Sequence, residues 1–402
     1  MCFLSIAMIY LDVTSSCRSA QNTGMQRMTR RIFAELSRRV DVAPICWNEI
    51  GRFYQRLGPT ELQLLTSPFD FHPKSSARPE TSGQNPIAEF RRLISLRRFP
   101  WKILGERDVF VAPDILHDLR RRVLPKLVQE TKARKVAIFH DITSLRLPSV
   151  YDLRRRAPRY RPYIELLARF DLVICISQEA EGDLHHFWKE FGCKPAATCV
   201  ETWPVDFDTT PGAAGQLPRD VVLNVSSLDP RKNHLTLLTA TQQLWGAGIS
   251  FELQLIGRAT NMSREIVRRL KSLQKQGKPV RWLQHVDDTT LLRAYRDCRF
   301  TVYPSLMEGF GLPIAESLWH GKPCLCGGNG ALGEIAHGGG CLIVDQTNPL
   351  ALAEGIKSLL RDQQLYARLC DEARARKFRS WTDYIEKFLD HLQLSRSAPA
   401  SH

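Results

Sequence analysis

The sequence has no Cys-x-x-Cys pair, although eleven cysteines are spread through its 402 residues. The closest spacing, Cys324 and Cys326 around one Leu, suits neither a zinc framework nor a disulfide scaffold. Cys175 in DLVICIS and Cys324 and Cys326 in KPCLC lie in apolar runs, where a free thiol packs as a small hydrophobe in a reducing compartment. An uncharged apolar run of the roughly eighteen residues needed to cross a bilayer is also missing. The apolar start, MCFLSIAMIYLDVT, has no basic lead and soon meets Asp12, so it reads as a buried first strand rather than a signal peptide. Together these absences predict a cytoplasmic protein. Internal repeats are absent too, and the one segment poor in apolar residues is Pro73 to Pro86, read as a loop.

An acidic surplus is lacking as well: 56 Lys+Arg face 42 Asp+Glu, leaving a net charge of +14 and calling for an anionic partner. Most of that surplus is local, because Arg91 to Phe170 holds 20 Lys+Arg against 8 Asp+Glu. The length gives room for two or three domains with cores that need no staples.

Short apolar runs alternate with helical patterns from end to end, which predicts an α/β fold with parallel sheets. In the first half, Ile6 to Val13, Val136 to Phe139 and Leu172 to Ile176 read as strands. Met25, Met28, Ile32 and Leu36 mark a helix face, and Ser177 caps a helix carrying Leu184, Phe187, Trp188 and Phe191 that Gly192 stops. The turn-rich stretch from Val205 to Pro218 reads as a linker, after which the pattern restarts with six strands between Val221 and Val344. Ser380 and Asp383 form a capping box for a last helix with apolar Trp381, Ile385, Phe388, Leu389 and Leu392.

The richest segment is Tyr303 to Pro323, YPSLMEGFGLPIAESLWHGKP. A strand ends at Tyr303, Gly309 and Gly311 let backbone approach a ligand, and Pro313 opens a helix whose unpaired N–H groups suit phosphate. Glu308 and Glu316 bracket this loop; carboxylates repel phosphate but accept hydrogen bonds from neighbouring sugar hydroxyls. Taken alone, such a pair also fits a turn and a surface glutamate. Its context is SSLDPRKN after the strand VVLNV, which sets Arg231 and Lys232 at a strand's carboxyl end, where open α/β sheets bind ligands. Two cations there can neutralise a departing diphosphate.

These segments, with NTGMQR, FHDITSLRLP, ICISQ and LIGR, resemble glycosyltransferase family 4, whose members are retaining nucleotide-sugar transferases of two facing Rossmann-like domains, the GT-B fold. The resemblance is strongest to mannosyltransferase-type members that build bacterial polysaccharides. It implies an acceptor-side domain over 1–204, a linker over 205–218, a nucleotide-sugar domain over 219–378, and a C-terminal helix and tail over 379–402 that packs back on the first domain. It also implies that Lys232 and Arg231 bind the donor diphosphate and that Glu308 meets the transferred sugar beside Gly309, Phe310, Gly311 and Leu312. Glu316 would hold the ribose, Gly24 would close over the donor, and His140 would lie near the sugar and acceptor. Gly257, Arg258, His285 and Val286 would line the base. Many family members place an Arg at Ser227 and a Gly at Asn233; Arg231 stands as the replacement cation.

Retention by double displacement requires a carboxylate nucleophile, and the residues single out none. The family's front-face mechanism, in which the leaving phosphate takes the acceptor's proton, is the expectation. No cofactor or metal is expected, since Asp206 and Asp208 lie in the linker. The expected partners are a nucleotide-sugar donor, a glycan or lipid-linked acceptor and, through the basic stretch, the anionic inner face of the plasma membrane. An epimerase or phosphorylase of the same fold is the alternative. A nucleic-acid binder is disfavoured by the lack of any recognisable module.

Overall fold

The alternating pattern folds into two α/β domains, each built on a parallel sheet with helical crossovers. The structure, a computed structural model, describes residues 6–19, 23–66, 99, 101–116, 118–205 and 220–393. The linker residues 206–218, with Asp206 and Asp208, the loop Pro73 to Pro86, the basic run Arg91 to Arg98 and the tail after residue 393 lie outside the described residues.

The first sheet contains β1 (Ile9–Asp12), β2 (Val42–Asn48), β3 (Phe53–Arg56), β4 (Val109–Ala112), β5 (Arg134–Phe139), β6 (Leu172–Cys175) and β7 (Ala197–Val200). Its order is β3-β2-β1-β4-β5-β6-β7, parallel except for β3, which returns antiparallel on β2. That edge hairpin has no counterpart in the sequence reading. It is held by aromatic contact: Tyr54 stacks on Trp101 at 5.4 Å, and Trp101 meets Phe110 edge-on at 4.8 Å. Such pairs add about 0.5–1.5 kcal/mol each beyond their buried area, enough to fix a short edge strand.

The second sheet contains β8 (Val221–Val225), β9 (Glu252–Ile256), β10 (Val280–Leu283), β11 (Phe300–Tyr303), β12 (Cys324–Cys326) and β13 (Cys341–Ile343). It is fully parallel in the order β10-β9-β8-β11-β12-β13. In both sheets the order reverses beside the first strand, between β1 and β4 and between β8 and β11. Such a switch point opens a crevice at the strands' carboxyl ends. Cys175, Cys324 and Cys326 are buried strand thiols.

The helix Gly24–Leu36 starts at a capping box, with Thr23 N–H donating to Gln26 Oε1 at 3.2 Å and Gln26 N–H donating back to Thr23 Oγ1. Met28, Ile32 and Leu36 are buried as their spacing predicts, but Met25 is exposed. It sits in the first turn, which reaches out toward the second domain: a Cβ on Gly24 would lie 3.9 Å from Leu312. The last helix, Trp381–Gln393, lies on the first domain against Gly24–Leu36. Its capping box is present, with Asp383 N–H donating to Ser380 Oγ at 3.1 Å. Glu201, buried at the end of β7, takes Arg379, Lys387 at 3.2 Å and His391 at 2.6 Å. Burial alone would raise the Glu201 pKa, yet the bonds from His391 and Arg379 hold it down to about 2. Hydrogen bonds to Cys199 and Glu201 lift His391 to about 9.

Candidate active site

The loop after β8 is shaped by its own side chains. Asp229 accepts from Arg231 N–H at 3.0 Å and starts a single turn of 3-10 helix, Pro230–Lys232. Asn233 then adopts φ 57°, the left-handed region that asparagine tolerates better than most residues. This conformation accounts for an Asn at the position. The turn delivers Arg231 and Lys232 to the loop that follows β11.

There they meet Glu308. Its carboxylate receives Lys232 Nζ at 2.6 Å on Oε1 and Arg231 Nη1 at 2.6 Å on Oε2. Tyr303 OH at 2.9 Å and the Ser305 hydroxyl also donate to Oε1. Burial would raise the Glu308 pKa, but Lys232 and Arg231 hold it down to about 2. Burial pulls the Lys232 pKa down, while Glu308 opposes the change. Two cations thus share one carboxylate in a nearly enclosed cluster, and Asp141 of the first domain acts on both of them as well.

Gly311, at φ 103°, turns the chain into the helix Leu312–Trp319, with Pro313 in its first turn as expected. Glu316 in that helix is buried, accepts from Tyr295 OH at 2.7 Å and faces Arg27 of the first domain at 3.5 Å. Burial outweighs both partners, so its pKa is raised. Glu308 and Glu316 are thus both engaged by protein groups, and Arg27 ties the NTGMQR segment to the second carboxylate.

The first domain closes on the same loop. A Cβ at Gly309 would lie 2.5 Å from the His140 carbonyl and 2.8 Å from Asp141, so only glycine allows this approach. Ser177 Oγ accepts from Ala180 N–H as the expected cap and also donates to the Gly309 carbonyl at 2.6 Å. His140 is buried, and its Nε2 bonds the Pro113 carbonyl. A carbonyl can only accept, so Nε2 carries the hydrogen and Nδ1, buried without a partner, is left as an acceptor. Burial lowers the pKa of this ring, which keeps it neutral. Trp203 stands edge-on to it at 5.3 Å and touches Phe310 at 6.0 Å.

On the far side of β8, a Cβ at Gly257 would strike the Ser226 carbonyl at 2.0 Å, and Trp282 Nε1 donates to the Gly257 carbonyl at 2.9 Å. Arg258 and His285 are exposed, whereas Val286 packs against the small apolar cluster of Leu223, Ile256 and Tyr295. All these loops leave strand carboxyl ends. Sequence reasoning missed Tyr303, Ser305, Tyr295 and Trp203, aromatic and small polar residues that carry no motif. Among the described residues no group of three or more His, Cys, Asp or Glu side chains is arranged to hold a metal.

Residues 213–376 match the family model described as glycosyl transferases group 1. The chain is 24% identical over 339 residues to the serotype-specific mannosyltransferase WbdA of Escherichia coli. That match covers 77% of this chain but only 37% of the longer relative. It is 26% identical over 289 residues to the O-antigen chain mannosyltransferase B of Escherichia coli, covering 69% of this chain and 71% of that protein. Among solved structures, Anabaena HepE in complex with UDP and glucose superposes with a TM-score of 0.66 at 18% identity, over 96% of this chain and 99% of that one. Sucrose-phosphate synthase from Thermosynechococcus elongatus gives 0.64 at 19% identity, over 96% of each chain. These likenesses are to the two-domain GT-B fold.

Proposed function

We propose that this chain, a group 1 glycosyltransferase with the GT-B fold, moves a hexose from a nucleoside-diphosphate sugar to an acceptor hydroxyl with retained anomeric configuration. The observation that carries this reading is the convergence of Arg231 and Lys232 on Glu308 at the carboxyl edge of β8 and β11. The two cations held there suit a diphosphate, and the start of the helix Leu312–Trp319 offers N–H groups and a positive dipole end.

In the reaction the bond from the anomeric carbon to the donor phosphate oxygen breaks. The acceptor oxygen bonds to the same face, and its proton passes to the departing phosphate. Arg231 and Lys232 stabilise the charge that grows on the diphosphate. Removing one such donor typically costs about 10²- to 10³-fold in kcat. Glu308 accepts hydrogen bonds from sugar hydroxyls, with the backbone of Gly309, Phe310, Gly311 and Leu312 alongside. His140 Nδ1 accepts from a hydroxyl of the sugar or the acceptor, Gly24 closes over the donor, and Glu316 takes the ribose. Gly257, Arg258, His285 and Val286 border the base.

The mannosyltransferase relatives favour mannose, with GDP-mannose as the first donor to try. A lipid-linked glycan is the proposed acceptor, met at the inner face of the membrane; no helix among the described residues is long and apolar enough to cross it. The basic stretch offers less free charge than its composition suggests, since Arg120 is buried on Asp12 and Asp118, and Arg161 pairs with Glu165. Lys126 likewise faces Glu130 at 3.8 Å, while Arg122 and Lys132 are exposed. Sedimentation with anionic and neutral vesicles tests this part, and equal binding to both at low salt would remove it. The chemistry is tested by transfer assays with Lys232→Ala: loss of turnover in a folded protein supports the assignment, and near-normal transfer rejects it.

A further inference from the structure

The first domain reaches the turn of Arg231 and Lys232 through one side chain. After His140 the chain runs through the short helix Thr143–Arg146 into a turn in which Tyr151 N–H donates to the Leu147 carbonyl at 2.9 Å. From there Tyr151 crosses to the second domain. Its hydroxyl donates to Asp229 Oδ1 at 2.9 Å, and its oxygen is hydrogen-bonded to Arg231 as well. The ring is buried, so water competes little for these bonds.

Asp229 is the residue that makes the turn. The Oδ1 that takes Tyr151 also accepts Arg231 N–H at 3.0 Å, and the Asp229 carbonyl accepts Lys232 N–H at 2.9 Å. Arg231 in turn is fastened to the loop after β11, with Leu306 N–H donating to its carbonyl at 2.9 Å and its Nη1 donating to the Met307 carbonyl at 2.6 Å. Whatever fixes Asp229 therefore fixes both cations and, through Arg231, the loop that carries Glu308.

Phenylalanine would pack in the same space, so the hydroxyl has a use beyond filling it. A buried hydroxyl on a carboxylate sets direction and distance and is strengthened by the charge it serves. Burial pushes the Tyr151 hydroxyl up to about 12, against the pull of Arg231, so it remains a neutral donor well beyond neutral pH. One segment of the first domain thereby serves both sides of the bond that breaks in the proposed reaction: His140 toward the sugar, Tyr151 toward the phosphates.

We propose that Tyr151 is a positioning residue for the transfer, holding the Arg231 and Lys232 turn in its diphosphate-binding shape only while the two domains are closed. The inference rests on the transferase reading above and adds to it a residue that acts through Asp229. With the domains apart, the turn keeps only the bonds of its own domain, and its grip on the sugar-linked phosphate loosens. Stabilisation of the leaving group is then confined to the closed arrangement, in which the acceptor domain is in place and bulk water is excluded.

The test is calorimetric titration of the full chain, wild type and Tyr151→Phe, with GDP, UDP, GMP and UMP, beside amide hydrogen exchange of the free protein over residues 229–233. Tyr151→Phe should weaken the diphosphate by about tenfold, the scale of losing a hydrogen bond to a charged group, and its monophosphate by less than about twofold. A role confined to packing would spare both nucleotides or weaken both alike. The retained monophosphate binding also shows that the variant is folded. In the free variant, exchange at the Arg231 and Lys232 amides should quicken several-fold. The proposal is overturned if Tyr151→Phe binds the diphosphate as wild type does, if mono- and diphosphate weaken alike, or if exchange over 229–233 is unchanged. Failure of the donor reading is a different result: neither GDP nor UDP then binds wild type, and the exchange measurement alone decides whether Tyr151 holds the turn.

Discussion

Glu308 Oε1 lies 2.6 Å from Lys232 Nζ although 76 residues separate them, so the loops leaving β8 and β11 are locked together at their tips. This contact joins the two halves of the proposed site: the cations for the diphosphate and the carboxylate for the sugar. It also ranks their consequences. Because the carboxylate is held down to about 2, it stays ionised throughout the range in which a nucleotide sugar is stable, and pH alone should not switch it.

Replacing Glu308 by Gln keeps the shape and removes the charge. The two neighbouring cations then lose their nearest counter-charge, so GDP or UDP should bind at least as tightly as to wild type, whereas transfer should fall by about 10²-fold or more. Calorimetric titration beside steady-state rates separates the two effects. Parallel loss of both would mean that Glu308 serves the diphosphate loop only as structure.

Gly309→Ala places a methyl group within 2.5 Å of the His140 carbonyl and so pushes the domains apart. A displacement of about 1 Å at a reacting centre can cost about 10²-fold in rate. Turnover should drop on that scale and the melting temperature should fall with it, since Gly309 is buried and the neighbouring Phe310 lies in an apolar core shared by both domains. A variant with normal kcat would show that this approach is not part of the reactive arrangement.

Gly257 tests the other edge. With φ at 148° and the Ser226 carbonyl 2.0 Å from any Cβ, Gly257→Ala strains the backbone and splits β8 from β9 at their ends. We expect destabilisation on the order of 3 kcal/mol, the range of forbidden-backbone and overpacking substitutions. Denaturant unfolding reads it directly, and a loss below about 0.5 kcal/mol would contradict the geometry.

The clamp on the last helix should depend on pH in a defined direction. Glu201, lowered from 4.5 to about 2, contributes fully above pH 4.5 and loses its contribution as pH falls toward 2. His391, raised from 6.5 to about 9, contributes fully below pH 6.5 and loses its contribution as pH rises through 9. Hydrogen exchange over residues 381–393 should therefore quicken between pH 7 and 10 beyond the intrinsic rate, and His391→Ala should remove that extra dependence. An NMR midpoint for His391 near 6.5 would refute the clamp.

Much of this arrangement was legible beforehand because its signals are local. Turn residues and caps act within a few positions, so Ser177, Pro313, Gly311 and the Ser380 and Asp383 pair could be read from spacing. Arg231, Lys232, Glu308 and Glu316 stand out only as a set, because each alone fits a solvated turn or a surface glutamate and only their joint placement at strand ends, with the family resemblance, singles them out. What escaped depends on contacts between distant segments. Nothing near Phe53 announces that β3 turns back to stack Tyr54 on Trp101. Tyr303 reads as the apolar end of a strand, yet its hydroxyl serves Glu308, and Tyr295 does the same for Glu316. Trp203 follows a strand as any buried aromatic would, and only the fold sets it between His140 and Phe310. Met25 departs from the expected buried face because helical periodicity gives a face but not where the helix runs out from its sheet.

The most direct test of the donor site is a thermal-shift screen of wild type and Lys232→Ala against GDP-, UDP-, ADP- and dTDP-sugars. A ligand that binds only the native state raises the melting temperature, by an amount equivalent to about 2.7 kcal/mol at a hundredfold excess over Kd. One nucleotide class should raise the wild-type transition clearly and leave that of Lys232→Ala nearly where it began. Equal shifts in both proteins, or none in wild type, would contradict a diphosphate held by Lys232 and Arg231.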